Sequence, residues 1–277
     1  MSTVGRLYSR VRTEFSSYGF VRNYIFFPVM GFLREKKIAG FHKPYDKIEE
    51  LKEVHQGERC FIIATGPSLK LEDVEKLKKE YTFGINTIFK LFSETEWRPT
   101  YYVMTDPSLH RSLYKNIDLD VNSYSEKRSI LNAINKDIVS GDKTILVNCC
   151  WLDHIYHYGY SRKFKYHPNL LFGVYDYYSV TQECIIYAIY MGFKEIYLLG
   201  ADNDYTGSKQ HFKNTEGEFH IQYEKALKVQ EMNNAGYAYV KTIAEKQGAK
   251  VFNATRGGKL EIFPRVDLDC VLEENIR

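Results

Sequence analysis

Small and polar residues follow an apolar run near position 60. The run Cys60–Ala64 predicts a buried strand, and Thr65-Gly66-Pro67-Ser68 follows it before a helical pattern begins at Leu71. A turn between a strand and a helix leaves backbone N–H groups free, and these favour an anion such as phosphate together with the helix dipole. Gly66 would let a ligand approach the main chain, and Ser68 could cap the helix or donate to a phosphate. The turn therefore predicts an anion site, with an ordinary strand-to-helix connection as the alternative.

Two further predicted strands also end in polar residues. The segment 81–86 ends in Asn86, and the segment 100–105 ends in Thr105 with Asp106 directly after it. The carboxamide of Asn86 can both donate to and accept from a sugar hydroxyl or a base edge. In an open α/β sheet the ligand lies outside the carboxyl ends of the strands. We therefore expect Asn86, Thr105 and Asp106 to share one site with the turn at Gly66.

Charged residues follow two later strands. Asp202 and Asp204 come after the predicted strand 194–200, and Arg256 precedes Gly257-Gly258 after the predicted strand 250–253. The acidic loop could hold ribose hydroxyls, a metal ion or an acceptor sugar, and a solvated loop is the alternative. The planar fork of an arginine suits a phosphate or a carboxylate, so the second loop is a further candidate anion site.

A polar stretch with little periodicity covers residues 206–236. It contains His211, His220 and Glu231. A long polar stretch beside an active-site edge is typical of a lid. His154 and His157 lie three residues apart, but no further ligand has a metal-binding spacing, so no metal site is predicted.

The alternation of apolar runs and helical patterns predicts an α/β fold. We expect a Rossmann-like, doubly wound, mainly parallel sheet, with residues 1–55 as an N-terminal helical extension, residues 56–277 as the catalytic domain and a lid at about 205–236. Expected helices are a short one within 43–57, then 71–80, the polar stretch 108–140, a buried helix from Ser179 to Gly192, and 237–247.

Composition excludes several classes of protein. The formal net charge of +3 is too small to predict a nucleic-acid partner, and no apolar run is long enough to span a membrane. Five cysteines without a CxxC pair fit buried thiols in a reducing compartment, so a cytoplasmic protein is expected. In the extension, arginines and lysines alternate with aromatic residues, which is typical of an interfacial membrane helix or an oligomer contact. Amphipathic helices packed on the main domain are the alternative.

Two stretches together resemble a known family. Residues 62–69 resemble the N-terminal Gly-Pro-Ser-Leu signature of bacterial family 42 sialyltransferases, and residues 188–202 resemble the helix–strand–Asp segment of that family, with Asn86 between them. The end of the chain, 253–258 with Phe263-Pro264-Arg265-Val266, is similar to the broader domain of 6-hydroxymethylpterin diphosphokinases and flagellin-modifying glycosyltransferases.

This resemblance implies an inverting glycosyltransferase that uses a CMP-activated sugar, a sialic acid-like nonulosonate, to modify a surface glycan or a lipid-linked glycan. It implies that Gly66, Ser68, Asn86, Thr105 and Asp202 contact the donor and that no metal cofactor is required. A histidine suits the role of base, so His220 or His211 is expected to act, with Glu231 in reserve. The basic extension (residues 1–40) would then fit contact with the inner face of the cell membrane, and a homo-oligomer is left open.

Two other functions stay open. An ATP-dependent diphosphokinase acting on a pterin-like substrate would use the same strand ends, with Asp106, Asp202 and Asp204 holding Mg²⁺ between phosphates. A non-catalytic nucleotide-binding scaffold is the third alternative.

Overall fold

The computed structural model describes residues 25–38, 41, 43, 45–106, 109, 121–133, 141–150, 164–175, 177–207, 209–213 and 223–273. The predicted base His220, the histidines 154 and 157 and the basic residues before position 25 lie outside these ranges. None of the described helices is long and apolar enough to cross a membrane.

The core of the fold is a seven-stranded sheet in which every pairing is parallel. Its strands are short and almost wholly buried, as expected for a parallel sheet with both faces covered. They are β1 (Arg59–Ile63), β2 (Tyr81–Ile85), β3 (Tyr101–Met104), β4 (Arg128–Asn132), β5 (Thr144–Val147), β8 (Glu195–Leu199) and β9 (Lys250–Asn253). A separate parallel pair joins β6 (Cys149–Cys150) to β7 (Val174–Tyr175).

The strand order is β5-β4-β3-β2-β1-β8-β9, so the chain builds outward from β1 first in one direction and then in the other. The order reverses between β1 and β8, which pair in register from Arg59 with Glu195 to Ile63 with Leu199. A crevice for a ligand forms at such a switch point, outside the carboxyl ends of the strands. The prediction of a doubly wound α/β fold is confirmed.

Five α-helices are described: α1 (Phe27–Glu35), α2 (Leu71–Glu75), α3 (Val180–Met191), α4 (Tyr223–Lys246) and α5 (Leu268–Glu273). Helix α3 begins after Ser179, whose side chain accepts from the N–H of Thr181, and ends at Gly192 in the left-handed conformation. Ten of its twelve residues are buried, because it packs over the middle of the sheet. Two apolar cores cover the two faces of the sheet, one with α3 and one with α2 and α5.

Four predicted helices differ from the structure. Strand β4 lies inside the stretch 108–140 that was predicted to be helical, because its buried Ser129 hides the apolar run of the strand. Helix α2 ends at Glu75 rather than Glu80, although Leu77 stays buried in the turns that follow. The helix predicted within 43–57 is a 3₁₀-helix at Asp46–Leu51.

The fourth difference concerns the predicted lid. The helix expected from Tyr237 already begins at Tyr223, so the second half of the 205–236 segment is helical. Its early turns bury small or polar side chains, Ala226 and Asn233, while Leu227 is exposed. The apolar periodicity that predicts a helix is therefore weak there.

Candidate functional site

The loops after β1 and β8 are joined directly at the switch point. The Ser68 hydroxyl donates to Oδ2 of Asp202 over 2.8 Å, and the N–H of Ser68 donates to the same oxygen over 3.3 Å. The N–H of Gly66 donates to the carbonyl of Gly200 over 2.8 Å. Two of the N–H groups expected to receive an anion are therefore already used, and the prediction that they are free is wrong.

The helix behind this turn does not offer an anion site either. Helix α2 has five residues and carries Glu72 and Asp73 in its first turn. Negative side chains at a helix N-terminus satisfy the dipole that would otherwise favour an anion. The predicted roles of Gly66 and Ser68 beside a nucleotide stay predictions. Their backbone N–H groups are not free to bind a phosphate.

Glycines allow the close approach of these loops. A Cβ atom on Gly66 would overlap the Asp202 carboxylate and the carbonyl of Gly200. A Cβ atom on Gly258 would overlap the backbone of Asp202, and Gly258 has a φ of +77° that favours glycine. The N–H of Lys259 then donates to the carbonyl of Asp202 over 2.6 Å. The backbone of Asp202 is thus enclosed by the loops after β1 and β9.

The two predicted aspartates have different electrostatic environments. Burial raises the pKa of Asp202 above the usual aspartate range, although the hydrogen bonds from Ser68 act against the rise. For Asp204, burial alone would raise the pKa, but hydrogen bonds from Thr206 and Lys259 outweigh it and leave the pKa lowered. The Lys259 amine lies 3.1 Å from Asp204 Oδ1. Among the described residues, no group of three or more potential metal ligands is assembled.

Buried oxygen atoms without a hydrogen-bond partner lie at three strand ends, two on one side of β1 and one on the other. They are Oδ1 of Asn86 after β2, Oγ1 of Thr105 after β3, and Oδ1 of Asn203 after β8. Thr105 is 2% exposed and Asn203 is 7% exposed. A buried polar atom without a partner costs free energy, so such atoms in a native fold call for a ligand or for water.

Asn86 and Asn203 share an unusual backbone conformation. Their φ angles are +47° and +52°, in the left-handed region that asparagine tolerates better than most residues. The hydroxyl of the buried Tyr102 donates to the carbonyl of Asn86 over 2.6 Å and fixes it there. The side-chain nitrogen of Asn203 donates to Oδ1 of Asn234 on α4 over 2.7 Å, while its side-chain oxygen has no partner. Strained positions of this kind cluster at functional sites.

His211 is the predicted base that the structure brings to this edge. Its Nδ1 lies 3.5 Å from Oγ1 of Thr65, and the N–H of the next residue, Phe212, donates to the carbonyl of Thr65 over 2.9 Å. Glu231 is exposed on α4. The segment around His211 is thus held against the turn after β1.

A family comparison identifies the chain. The model of the MptE-like family, described as 6-hydroxymethylpterin diphosphokinase MptE-like, matches residues 36–208. The chain belongs to the MptE-like family. This confirms the predicted relationship to the diphosphokinase domain. No curated protein sequence is similar enough to this MptE-like chain to count as a relative.

Two solved structures are similar to the MptE-like chain. The MAf glycosyltransferase from Magnetospirillum magneticum AMB-1 has 14% identity and a TM-score of 0.48, over 81% of this chain and 38% of that one. The sialyltransferase CstII from Campylobacter jejuni, solved with a substrate analogue, cytidine-5'-monophosphate, has 15% identity and a TM-score of 0.44, over 76% of this chain and 85% of that one. The chain thus spans well under half the length of MAf. Identities and scores of this size assign no role to a residue of the MptE-like chain.

Arg256 of the MptE-like chain is bound to a carboxylate. Its Nε and one terminal nitrogen each lie 2.6 Å from an oxygen of the buried Asp73. The fork that was predicted to hold a phosphate is therefore engaged, and its role in phosphate binding stays a prediction. The neighbouring Arg265 donates to the carbonyls of Thr255, Gly257 and Gly258, so it holds this loop in shape.

Asp106 lies next to the site in the chain, and its side chain is engaged in a local turn. It directly follows Thr105, and its Oδ1 accepts from the N–H of Leu109 over 3.2 Å, as the first residue of a turn does. Asn132, at the end of β4, donates to the carbonyl of Thr105 over 2.9 Å and fixes the residue that bears the unpartnered hydroxyl. Sequence reasoning missed Asn132 because β4 itself was missed, and it passed over Asn203 in favour of the aspartates on either side.

A cavity of about 390 Å³ lies at the opposite, amino-terminal edge of the strands, lined by residues that include Leu51, His55, Tyr101 and Lys127. His55 is stacked on Phe193, and its Nε2 lies 2.7 Å from the Tyr101 hydroxyl. Burial lowers the pKa of His55, although Glu58 on its other nitrogen acts against this. The histidine at this edge is thus held by aromatic packing and by hydrogen-bond contacts at both ring nitrogens.

Proposed function

We propose that this chain is a glycosyltransferase that transfers a sialic acid-like nonulosonate from a CMP-activated donor to a surface glycan or a lipid-linked glycan. The observation that carries the proposal is the set of unpartnered buried oxygens on Asn86, Thr105 and Asn203. These atoms accept hydrogen bonds, and the Thr105 hydroxyl can also donate one. A cytosine amino group, a ribose and a sugar supply the donors that they lack.

The charges at this edge also favour a nucleoside sugar over a polyphosphate. Phosphate oxygens only accept, so a triphosphate needs many N–H donors or cations. The basic side chains of the loop after β9 are engaged: Arg256 with Asp73, Lys259 with Asp204, and Arg265 with Glu261 and backbone carbonyls. A CMP-sugar has a single phosphodiester between two sugars. It therefore matches a site whose remaining groups are the unpartnered oxygens of Asn86, Thr105 and Asn203.

In this proposal His211 acts as the base. Its Nδ1 lies 3.5 Å from Oγ1 of Thr65, at the edge of the sheet where donor and acceptor would meet, and an imidazole suits the role of taking the proton from the acceptor hydroxyl. The acceptor oxygen then forms a bond to the anomeric carbon of the donor sugar. The bond between that carbon and the phosphate oxygen breaks, and CMP leaves with the electron pair, which inverts the anomeric centre. The proposal includes no metal for this step, because the hydroxyl group of Thr65, and that of Ser68 once it releases Asp202, would stabilise the departing phosphate.

The second candidate is an ATP-dependent diphosphokinase on a pterin-like substrate, and the description of the family model favours it. Mg²⁺ would then be held by Asp106, Asp202 and Asp204. Binding would require Asp202 to release Ser68 and Asp204 to release Lys259.

Thermal unfolding with nucleotides separates these functions. The full chain is melted with CMP, CDP or ATP, each with and without Mg²⁺. Stabilisation by CMP without metal is expected from the transferase, because a ligand that binds only the folded state raises the melting temperature. An ATP response that requires Mg²⁺ would instead support the diphosphokinase. Absence of any nucleotide response contradicts both, whereas a nucleotide response without turnover leaves the non-catalytic nucleotide-binding scaffold.

The base is tested by release of CMP from a panel of CMP-sugars. His211→Ala is expected to slow turnover by about 10²- to 10⁴-fold while CMP still stabilises the protein. His220→Ala and Glu231→Gln are the comparison variants. If either of them loses turnover while His211→Ala keeps it, the base is that residue and not His211.

The same proposal includes the place of action. A lipid-linked acceptor would be met at the inner face of the cell membrane, through residues 1–40, and a homo-oligomer would present several such contacts. The basic and aromatic composition of these residues supports this part.

A further inference from the structure

Exposed apolar side chains of the described chain are concentrated in one segment. Large hydrophobic residues with exposed side chains occur at Val54 and Leu227, but the others all lie between positions 25 and 41. They are Ile25, Phe26, Val29, Phe32, Ile38 and Phe41, each 38% to 52% exposed. A contiguous apolar patch of this kind marks a surface that another body covers.

Helix α1 presents this patch because its opposite face is anchored. Gly31 contacts the Phe172 ring so closely that a Cβ atom would overlap the ring. Arg34 is buried, donates to the carbonyl of Leu171 over 3.1 Å, and lies 4.1 Å from the centre of the Tyr45 ring. The helix is therefore held on the domain, and its apolar outer face is a property of the folded protein.

The spacing of the exposed residues makes one continuous stripe. Ile25, Val29 and Phe32 are four and three residues apart, which places them on the same side of a helix. Phe27, Gly31 and Arg34, which are buried, have the same spacing on the other side. The two stripes lie on opposite sides of α1. One is buried against the domain, and the other is apolar although it faces solvent.

Basic residues lie next to the stripe along the chain. The amine of Lys36 lies 5.7 Å from the centre of the Phe32 ring, and the exposed Lys37 next to it forms an ion pair of 3.7 Å with Glu49. Residues 1–43 contain eight lysines and arginines against two glutamates, whereas the whole chain has a net charge of only +3. The chain's positive excess thus lies in the same segment as the apolar patch.

We propose that the outer face of α1 together with the residues that flank it, formed by Ile25, Phe26, Val29 and Phe32 with Lys36, is a docking surface for a layer of anionic lipid headgroups. The apolar side chains would enter the boundary between headgroups and acyl chains, and the lysines would meet the anionic headgroups. A protein partner would need complementary acidic groups around an apolar centre, whereas a lipid layer supplies both features at once. This surface rests on the membrane contact included in the proposed function and specifies its face and lipid class, while the vesicle test is independent of sugar transfer.

The full chain is sedimented with vesicles of phosphatidylcholine alone and of phosphatidylcholine with phosphatidylglycerol. Binding is expected to the second kind and is expected to weaken as salt rises, because surface charges are screened. Phe32→Ser is expected to lower the vesicle partition coefficient about tenfold, since the variant loses the phenylalanine side chain that would be buried in the lipid layer. Lys36→Glu is expected to lower binding to the anionic vesicles. Leu227→Ser removes an apolar side chain of α4 that is 64% exposed, more than Phe32, and is expected to change nothing.

Other occupants of the face give distinct results. If Phe32→Ser lowers the melting temperature by several degrees, the face is covered by the chain's own residues, and the proposal is wrong. A native mass that doubles with concentration and returns to the monomer in Phe32→Ser identifies a second copy as the occupant, which also contradicts the proposal. Failure to bind anionic vesicles, or equal binding by Phe32→Ser and the wild type, overturns it as well.

Discussion

The Ser68 hydroxyl and the Asp202 carboxylate form a 2.8 Å hydrogen bond across the switch point of the sheet. Burial would otherwise leave this carboxylate poorly solvated, and the same oxygen also accepts from the Ser68 N–H. The bond joins the ends of β1 and β8, the two strands between which a ligand crevice forms. The consequences of this arrangement for pH, packing and ligand binding can each be measured.

Asp202→Asn is expected to reverse the usual effect of pH on stability. Burial raises the folded-state pKa of Asp202 above its unfolded value, so the folded protein holds the proton more tightly. Relative to a variant that cannot ionise at position 202, the wild type should therefore lose free energy of unfolding as pH rises from the unfolded pKa, about 4, through the higher folded-state pKa. Urea denaturation of both proteins from acid to neutral pH measures the difference, which should grow with pH in favour of Asp202→Asn.

Asp204→Asn supplies a control with the opposite sign. The pKa of Asp204 is lowered in the folded protein, so its ionised form stabilises the fold above its unfolded pKa and this stability is lost as pH falls through the folded value. Relative to Asp204→Asn, the wild type should gain stability as pH rises. A pH-independent difference for both variants would contradict the assigned environments.

Thr105→Val should separate ligand binding from stability. The Thr105 hydroxyl is buried without a partner, so its replacement by a methyl group should leave the free energy of unfolding unchanged or raise it by about 1 kcal/mol. The affinity for CMP should fall about tenfold, the value of one hydrogen bond. Calorimetric titration measures the affinity. Thr144→Val is the matched control, because Thr144 at the start of β5 also has a buried unpartnered hydroxyl and lies at the opposite edge; its CMP affinity should match that of the wild type.

Asn86→Gly and Asn86→Ala should differ in stability and agree in binding. Glycine adopts the φ of +47° without strain, whereas alanine should cost about 1–2 kcal/mol of unfolding free energy there. Both remove the carboxamide, so both should lose the thermal response to CMP. Glu53→Gly, at an exposed position with a φ of +58°, tests the backbone effect alone. Retained CMP binding by Asn86→Gly would remove Asn86 from the site.

Gly66→Ala should destabilise the fold by about 1–3 kcal/mol, because the added methyl group overlaps the Asp202 carboxylate. Gly207→Ala is the control, since its nearest neighbouring atom would lie 3.7 Å from the new Cβ and little should change. Chemical denaturation measures both. Equal stability of the two variants would show that the loops after β1 and β8 can separate without cost.

The positions of most site residues follow from the sequence, and their contacts do not. Apolar runs locate β1, β2, β3 and β8, and the rule for parallel sheets then brings Thr65, Asn86, Thr105 and Asp202 to one edge. What the sequence cannot show is which partner each group already has. Arg256 and Asp73 are 183 residues apart, and no local pattern connects them. The N–H groups of Gly66 and Ser68 likewise donate to Gly200 and Asp202, which are distant in sequence.

The missed elements have local causes. In β4 the second residue, Ser129, is buried and its hydroxyl donates to the carbonyl of Val121 over 2.6 Å, so a polar residue stands where a strand pattern requires an apolar one. In the first half of α4 the side-chain nitrogen of the buried Asn233 donates to the Tyr205 hydroxyl over 2.9 Å. In both places a tertiary hydrogen bond replaces the apolar contact from which secondary structure is predicted.

The bond between Ser68 and Asp202 closes a loop of 134 residues. Contacts of such long range form late in folding, because the entropy of closing the loop is lost before the contact is gained. A ligand held between the ends of β1 and β8 would therefore make few of its contacts in the folding transition state. Such a ligand should slow the unfolding of the protein and leave its folding rate nearly unchanged.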